Sequence, residues 1–441
     1  MDPLDRRQFL VRTGLLLSTG LLAGSLPLPR ILGQATASPP PRLDTWEAVR
    51  EQFLLKRDWI HMTGFLLASH PAPVREAIER HRRGLDEDPA SYWFEHEESA
   101  EAEVLRAAAG YLGAGPTDIA LTDSTTMGLG LLYGGLTLWP GQEILSTIHD
   151  HYSTETSLRH RAERTNASFR QVPLYRDLAA VSKDEIVEAL VKAVRPNTRY
   201  VAVTWVHSST GLKLPIRAMA DELAAINADR NEKDRVIFCV DGVHGFGVEN
   251  VTMADLGCDF FVAGCHKWLF GPRGTGLVWG HPRAWPAAHA TIPTFNNEAY
   301  RIWMKELPPR EVPRAASMTP GGFHSFEHRW ALDEAFKFHL AIGKDRIEGR
   351  IHQLNRQLKE GLAGMNHVTL HTPMADDLSA GIVCFEVDGM SPEQVVQALR
   401  RKLILASVTP YATKYARLSP SLLTSPEQVD KTLEGIRNLK A

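Results

Sequence analysis

The chain has little cysteine: four residues in 441, none in CxxC or CxxH spacing. That excludes a disulfide framework and a structural zinc site of ordinary spacing. A basic excess is also missing, since 49 Lys plus Arg face 52 Asp plus Glu for a net charge of −3. Nucleic acid is therefore not an expected partner. There is no internal repeat, and the uncharged N-terminal stretch from Thr13 to Pro29 is broken by Gly14, Gly20, Gly24 and Pro27. It falls short of the roughly 20 apolar residues of a membrane span, so no stable anchor is expected. What is present is ordinary globular composition, 44% apolar and 23% charged, in a chain long enough for two or three domains.

The N-terminus carries Arg6-Arg7, the modest apolar stretch and then Ala35-Thr36-Ala37. Together these resemble a twin-arginine export signal cut after Ala37. The implied location is the periplasm, and the implied partner is the twin-arginine export machinery. Loss of residues 1–37 removes four Arg and two Asp and takes the net charge from −3 to −5. That route carries folded proteins, commonly with a cofactor already loaded.

Residues 38–60 read as a Pro-rich linker and an N-terminal helix, with Trp46, Val49, Phe53 and Leu54 at helical spacing up to Arg57. Over 61–310, apolar runs of strand length alternate with amphipathic helices. The predicted strands are Glu143 to Ile148, Ser168 to Leu174, Tyr200 to Val206, Val236 to Val240, Phe260 to Val262 and Gly276 to Trp279. Helices are predicted at Ser153 to Arg164, Lys183 to Val194 and Arg217 to Ala228. This alternation predicts an α/β fold, a mainly parallel sheet with helices on both faces, and ligands at the carboxyl ends of its strands. Over 311–441 the pattern becomes a smaller C-terminal α+β domain. It has a long helical segment from Phe326 to Gly361, strands at Val368 to Leu370, Gly381 to Val387 and Leu403 to Val408, and helices at Pro392 to Arg401 and Pro426 to Leu439.

The strongest chemical signal is Gly264-Cys265-His266-Lys267-Trp268-Leu269, in a Gly-rich turn just past an apolar strand. A lysine at a strand end is placed for Schiff-base chemistry, because a partly desolvated ammonium loses its proton more easily. Twenty-six residues upstream, the strand Val236 to Val240 ends in Asp241-Gly242-Val243-His244. A strand-end carboxylate beside a strand-end lysine suits pyridoxal 5′-phosphate, the carboxylate keeping the pyridine nitrogen protonated and the lysine holding the aldehyde. Asp241 could otherwise cap the next turn. Thr122-Asp123-Ser124-Thr125-Thr126 joins a short strand to an apolar helix, whose start offers N–H and O–H donors to a phosphate, or simply an N-cap. His151, in His149-Asp150-His151-Tyr152, is either a ring stacked on an aromatic cofactor or a hydrogen-bonded loop histidine. A metal site built from His149, His151 and His244 would leave Lys267 without a role, so no metal is expected. The aromatics Tyr92-Trp93-Phe94 read as a substrate entrance or as core.

The form Gly-Cys-His-Lys-Trp-Leu-x-x-Pro-x-Gly-Thr-Gly around Lys267 resembles the class V aminotransferases. These are fold-type I pyridoxal-phosphate enzymes, and the likeness is to their isopenicillin N epimerase-like branch, over about residues 58–436. The resemblance implies a homodimer in which Lys267 is the catalytic Schiff-base lysine and proton shuttle. Asp241 would pair with the pyridinium nitrogen, and His244 would lie near the ring oxygen O3′. His151 would stack on the ring, and Ser208 stands where cysteine desulfurases carry an O3′-binding Asn. Thr125 and Thr126, joined by His266, match the phosphate site. Arg417, in Tyr415-Ala416-Arg417-Leu418-Ser419, matches the clamp for a substrate carboxylate. Where many relatives have Gly-Thr, with the partner subunit's threonine on the phosphate, this chain has Gly321-Gly322-Phe323-His324. With the export signal, the combination resembles periplasmic enzymes that modify siderophores such as pyoverdine.

The resulting expectation is an exported enzyme acting at the amino group or α-carbon of an amino acid or amino-acid-derived metabolite, foremost by transamination. Epimerisation and C–S or β-eliminating lysis are the same-fold alternatives. A metal-dependent hydrolase and a non-catalytic binder of cofactor or siderophore are the rivals from other classes. A cysteine desulfurase is disfavoured because Cys384 lies in a buried strand rather than a mobile loop.

Overall fold

Short, largely buried apolar runs build the central sheet, the edge strand at Ser168–Val172 being its part-exposed member. In the computed structural model, which describes residues 43–439, the strands are β1 (Ile60–His61), β2 (Ile119–Thr122), β3 (Glu143–Thr147), β4 (Ser168–Val172), β5 (Thr198–Thr204), β6 (Ile237–Asp241), β7 (Phe260–Gly264), β8 (Gly276–Gly280), β9 (Val368–Leu370), β10 (Val383–Val387), β11 (Ile404–Leu405), β12 (Ser407–Val408) and β13 (Ala416–Leu418). The leader read at 1–37 lies outside the described residues.

Seven strands form one sheet in the order β2-β8-β7-β6-β5-β3-β4. All pairs are parallel except those made by β8, which runs against both β2 and β7. The sheet is thus mainly parallel, with one reversed strand that alternation alone had not distinguished. Successive residues enter opposite cores: Val201, Val203, Phe238 and Val240 pack into one apolar cluster, and Tyr200, Ala202, Ile237 and Cys239 into the other. That period of two, with both faces apolar, is what a sheet covered by helices on each side requires. The parallel strands end along one edge at Thr147, Thr204, Asp241 and Gly264. At the opposite end of β3, buried Glu143 is gripped by Arg170 through Nε at 2.8 Å and Nη2 at 2.7 Å, and by Thr198 Oγ1 at 2.7 Å.

A four-stranded antiparallel sheet, β12-β13-β10-β9, encloses a third apolar core. The N-terminal stretch packs on that core: β1 pairs in parallel with β11 as a separate two-stranded sheet, and Met62 is fully buried in the same core. The long helical run expected from Phe326 to Gly361 is three helices, Phe326–Trp330, Leu332–Ile342 and Lys344–Ala363. It breaks at Ala331 and at Gly343, whose φ of 98° is outside the helical region. The first helix ends at Glu51 rather than Arg57. Two helices with no counterpart in the sequence reading, Ala72–Glu87 and Pro89–Leu112, follow. No described helix is long and apolar enough to cross a membrane.

Candidate active site

At the carboxyl edge of the large sheet lies a cavity of about 150 Å³ whose lining includes Phe65, Thr125, His151, Asp241, Lys267 and Arg417. A larger cleft of about 510 Å³ opens at the amino ends of β6 and β7, around Val236, Phe238 and Asp259. Size favours the second, but the first gathers an amine, a carboxylate, imidazoles and a guanidinium, and chemistry decides between them.

Lys267 reaches the cavity from the turn after β7. Its backbone is held there: Cys265 N–H donates to Thr275 O at 2.9 Å, and Phe270 N–H donates to Lys267 O at 3.1 Å. Burial pushes the Lys267 ammonium down to about 8, helped by Arg417 and opposed by Asp241. Asp241, the last residue of the neighbouring strand β6, accepts from Val243 N–H at 3.2 Å. Burial pushes its carboxyl up to about 6, against that hydrogen bond and the attraction of Lys267.

The Thr125–Gly135 helix starts at the cavity, capped by Ser124 Oγ, which accepts from Met127 N–H at 3.1 Å. Thr125 Oγ1 accepts from Gly264 N–H at 2.8 Å, tying this helix start to the strand that delivers Lys267. A Cβ on Gly264 would sit 2.9 Å from Thr125 Oγ1, so only glycine allows that approach. Thr126 Oγ1 meets Ser153 Oγ at 3.1 Å, and Ser153 Oγ meets His151 Nδ1 at 3.1 Å. Because His151 Nδ1 accepts from Ser153 N–H at 3.3 Å, the proton of the neutral ring is assigned to Nε2. Burial first, then Lys267 and Arg417, lowers the basicity of His151.

Arg417 projects from β13 of the small sheet into the same cavity. Its Nε donates to Ser407 Oγ at 3.1 Å and its Nη1 to Ser208 O at 2.6 Å, and the guanidinium lies 4.0 Å from the Phe65 ring centroid. The remaining N–H groups of Nη1 and Nη2 are unclaimed by those bonds and suit a carboxylate. His244 is buried with Nδ1 unpartnered. Burial, Lys267 and Arg417 hold it far below ordinary histidine basicity. Ser208 Oγ is bonded to Tyr411 OH at 2.7 Å.

Thr125, Thr126, His151, Ser208, Asp241, His244, Lys267 and Arg417 therefore converge, while His266 stands apart from the cavity lining. Its Nδ1 faces Thr275 O at 3.3 Å, so that nitrogen is the donor. His149 also turns away: it accepts from Leu174 N–H at 3.2 Å and stacks on Tyr175 with centroids 4.3 Å apart. Among the described residues, the one group of three with metal-ligating atoms in reach of one another is Glu249, Glu348 and His352, not the three histidines weighed from sequence. Trp93 packs against Phe94, Phe323 and Phe326 instead of lining the cavity.

Sequence reasoning missed Phe65, Tyr411 and Asp150. Asp150 Oδ2 accepts from Ser146 Oγ, Thr147 N–H and Thr147 Oγ1 at 2.7 to 2.9 Å, and its Oδ1 accepts from Thr204 N–H at 2.6 Å. It locks the ends of β3 and β5 and so sets where His151 begins the next helix. Its neighbours Ser146 and Thr147 at a strand end were the signal available for it.

The residues fit the cofactor implied by the sequence. A helix start with hydroxyls suits a phosphate, a buried carboxylate suits a ring nitrogen, and Lys267 suits an aldehyde. His244 Nδ1 and Thr204 Oγ1, both in the lining, are buried polar atoms with no protein partner. Buried polar groups of that kind call for a bound partner.

A family model described as aminotransferase class-V matches residues 91–411. An isopenicillin N epimerase of Streptomyces clavuligerus is 26% identical over 409 residues, covering 89% of this chain and 97% of that protein. A probable cysteine desulfurase of Halalkalibacterium halodurans is 26% identical, covering 73% and 78%. The solved structure of a C-DES mutant with glycine covalently linked to its PLP cofactor superposes with a TM-score of 0.79 at 21% identity, covering 89% of this chain and 99% of that one. The cystine C–S lyase C-DES with cysteine persulfide gives 0.77, also at 21%. The fold is thus that of the PLP-dependent transferases of fold type I.

Proposed function

The chain belongs to the class-V aminotransferase family, and on that premise we propose that it is a pyridoxal 5′-phosphate enzyme acting at the amino group or α-carbon of an amino acid or amino-acid-derived metabolite, foremost as an aminotransferase. The observation that carries the reading is the convergence of Lys267, Asp241 and Arg417 on one cavity. A simple binder has no need of all three.

Bound there, the cofactor supplies an aldehyde for the substrate amine and a ring that accepts the electron pair released at the α-carbon. The chain's own residues do the rest. Arg417 holds the substrate carboxylate with its unclaimed N–H groups. Asp241, on the buried end of β6, holds a positive ring nitrogen. Lys267, whose ammonium is destabilised to about 8, would hold the aldehyde and, once the substrate amine has taken its place, would carry the proton from the α-carbon to the cofactor, the transfer that transamination requires. An amine brought that close to neutrality is unprotonated often enough to act as the base.

Epimerisation or C–S lysis is the second reading, favoured by the isopenicillin N epimerase that aligns over 97% of its own length. A desulfurase needing a surface thiol is disfavoured, because all four cysteines are buried. Residues 1–37 are proposed as a twin-arginine signal, with a siderophore-type metabolite of the periplasm as the substrate class. A homodimer is proposed from exposed Leu66, Met127 and Tyr152, which neighbour the lining residues Phe65, Thr126 and His151.

The test is the visible spectrum of purified residues 38–441 during titration with amino acids and amines, without a keto-acid acceptor. Loss of the cofactor band with stoichiometric keto product makes it an aminotransferase. A band that shifts and returns as substrate is consumed makes it an epimerase or lyase. No band after cofactor is added, in wild type as in Lys267→Ala, would sink the reading.

A further inference from the structure

Ser208 is held from two sides by one segment of the small sheet. Arg417 Nη1 donates to its carbonyl at 2.6 Å, and Tyr411, in the loop between β12 and β13, meets its Oγ at 2.7 Å. The Tyr411 ring also stands edge-on to His151, with centroids 6.2 Å apart. Ser208 and Arg417 line the cavity, and Tyr411 is not part of its lining. Two hydroxyls that share one hydrogen bond have one O–H left to donate. Among the described residues no protein acceptor takes it, since the contact between them is the one hydrogen bond of either hydroxyl. The phenol is the better donor of the two, and burial raises its pKa, so it stays protonated. With the phenol donating to Ser208 Oγ, the serine O–H is the one that remains, and it belongs to the residue facing the cavity. A donor polarised by a second hydroxyl behind it is strengthened.

We propose that Tyr411 is a positioning residue for the substrate carboxylate: by donating to Ser208 Oγ it turns the Ser208 hydroxyl into the cavity beside Arg417. The clamp is then a guanidinium with a hydroxyl at its side, both tied to the same residue. This rests on the proposal that the cavity holds pyridoxal 5′-phosphate and an amino acid. It assigns to Tyr411 a role in selecting carboxylate-bearing amines over simple amines.

The test uses the cofactor-loaded protein and two probes of nearly equal shape, 2-methylalanine and tert-butylamine. Neither has an α-proton to lose, and they differ in a carboxylate against a methyl group. Binding is read as the shift of the visible cofactor band. Tyr411→Phe, which keeps the ring against His151, should weaken 2-methylalanine about tenfold and leave tert-butylamine unchanged. Ser208→Ala should show the same loss, and the double variant no more than either alone, since the two act as one unit. Equal weakening of both probes, or no weakening of either, overturns the proposal. So does a cofactor band altered by Tyr411→Phe before any probe is added, because the hydroxyl would then face the cofactor. A wild-type protein with no cofactor band fails differently: it overturns the underlying enzyme reading as well.

Discussion

Replacing Asp241 with asparagine should make Lys267 a weaker base in the cofactor-free protein, although it removes a group the holoenzyme is proposed to need. Burial lowers the lysine to about 8 from an ordinary 10.5, and Asp241 is the group that opposes the fall. At pH 7 an amine titrating near 8 is neutral in roughly one molecule in ten, against about three in ten thousand for an ordinary lysine. That is a gain of about 300-fold in reactive amine. Asp241, titrating at about 6, is still mostly ionised at pH 7. Asparagine removes its charge, and the lysine should titrate below 8. Removing Arg417, which pushes the other way, should raise it. The assay is the rate at which salicylaldehyde condenses with the cofactor-free protein between pH 6 and 11, trapped with borohydride and assigned to Lys267 by peptide mapping. The rate should level off near pH 8 in wild type, at lower pH in Asp241→Asn and at higher pH in Arg417→Ala. A wild-type midpoint near 10.5, or an upward move in Asp241→Asn, would refute the reasoning.

Gly211→Ala should lower Tm by roughly 3 °C: Gly211 has φ 77°, and an added Cβ would meet Ile382 O at 2.3 Å. An unchanged melting curve would show that the loop after Ser208 can move aside. A thiol reagent should find no reactive cysteine in the native protein and four after unfolding, because all are buried and burial holds Cys384 up at about 12; fast labelling of one native thiol would contradict this. Acid should destabilise the protein between about pH 6.5 and 4. Burial holds His207 down to about 4 and His339 to about 3, from 6.5, so in that window the unfolded chain binds protons that the folded one refuses. Asp241, raised from 3.8 to about 6, and Glu101, also raised by burial, act with the opposite sign, but His70, His81, His149 and His324 are held down to about 4 as well, so the lowered histidines outnumber them. A Tm that rises on acidification through this window would disprove the balance.

Several local features were legible because their causes are local. The helix Pro392–Arg401 lies where predicted, since Ser391 and Gln394 close a capping box and proline occupies its first turn. The buried strands β6 and β7 follow from unbroken apolar runs, and Asp241 and Lys267 stand at or just past their ends. Adjacent parallel strands bring their carboxyl ends together, so the amine and the carboxylate of the site could be paired before any coordinates.

The sequence by itself therefore determined most strands of the large sheet, its mainly parallel sense and the two groups at its edge. Periodicity is a property of one segment, and these features each belong to one segment or to neighbouring strands. Only the tertiary structure decided that β8 runs backwards, that β1 pairs with β11 and Met62 enters the core of the small sheet, and that Phe65 lies under Arg417. It alone placed Tyr411 on Ser208, 203 residues away in the chain. Such contacts depend on how distant segments pack. Each residue of the pair has an ordinary local environment in sequence, and the hydrogen bond or ring contact exists only once both backbones have been fixed by cores that neither residue specifies.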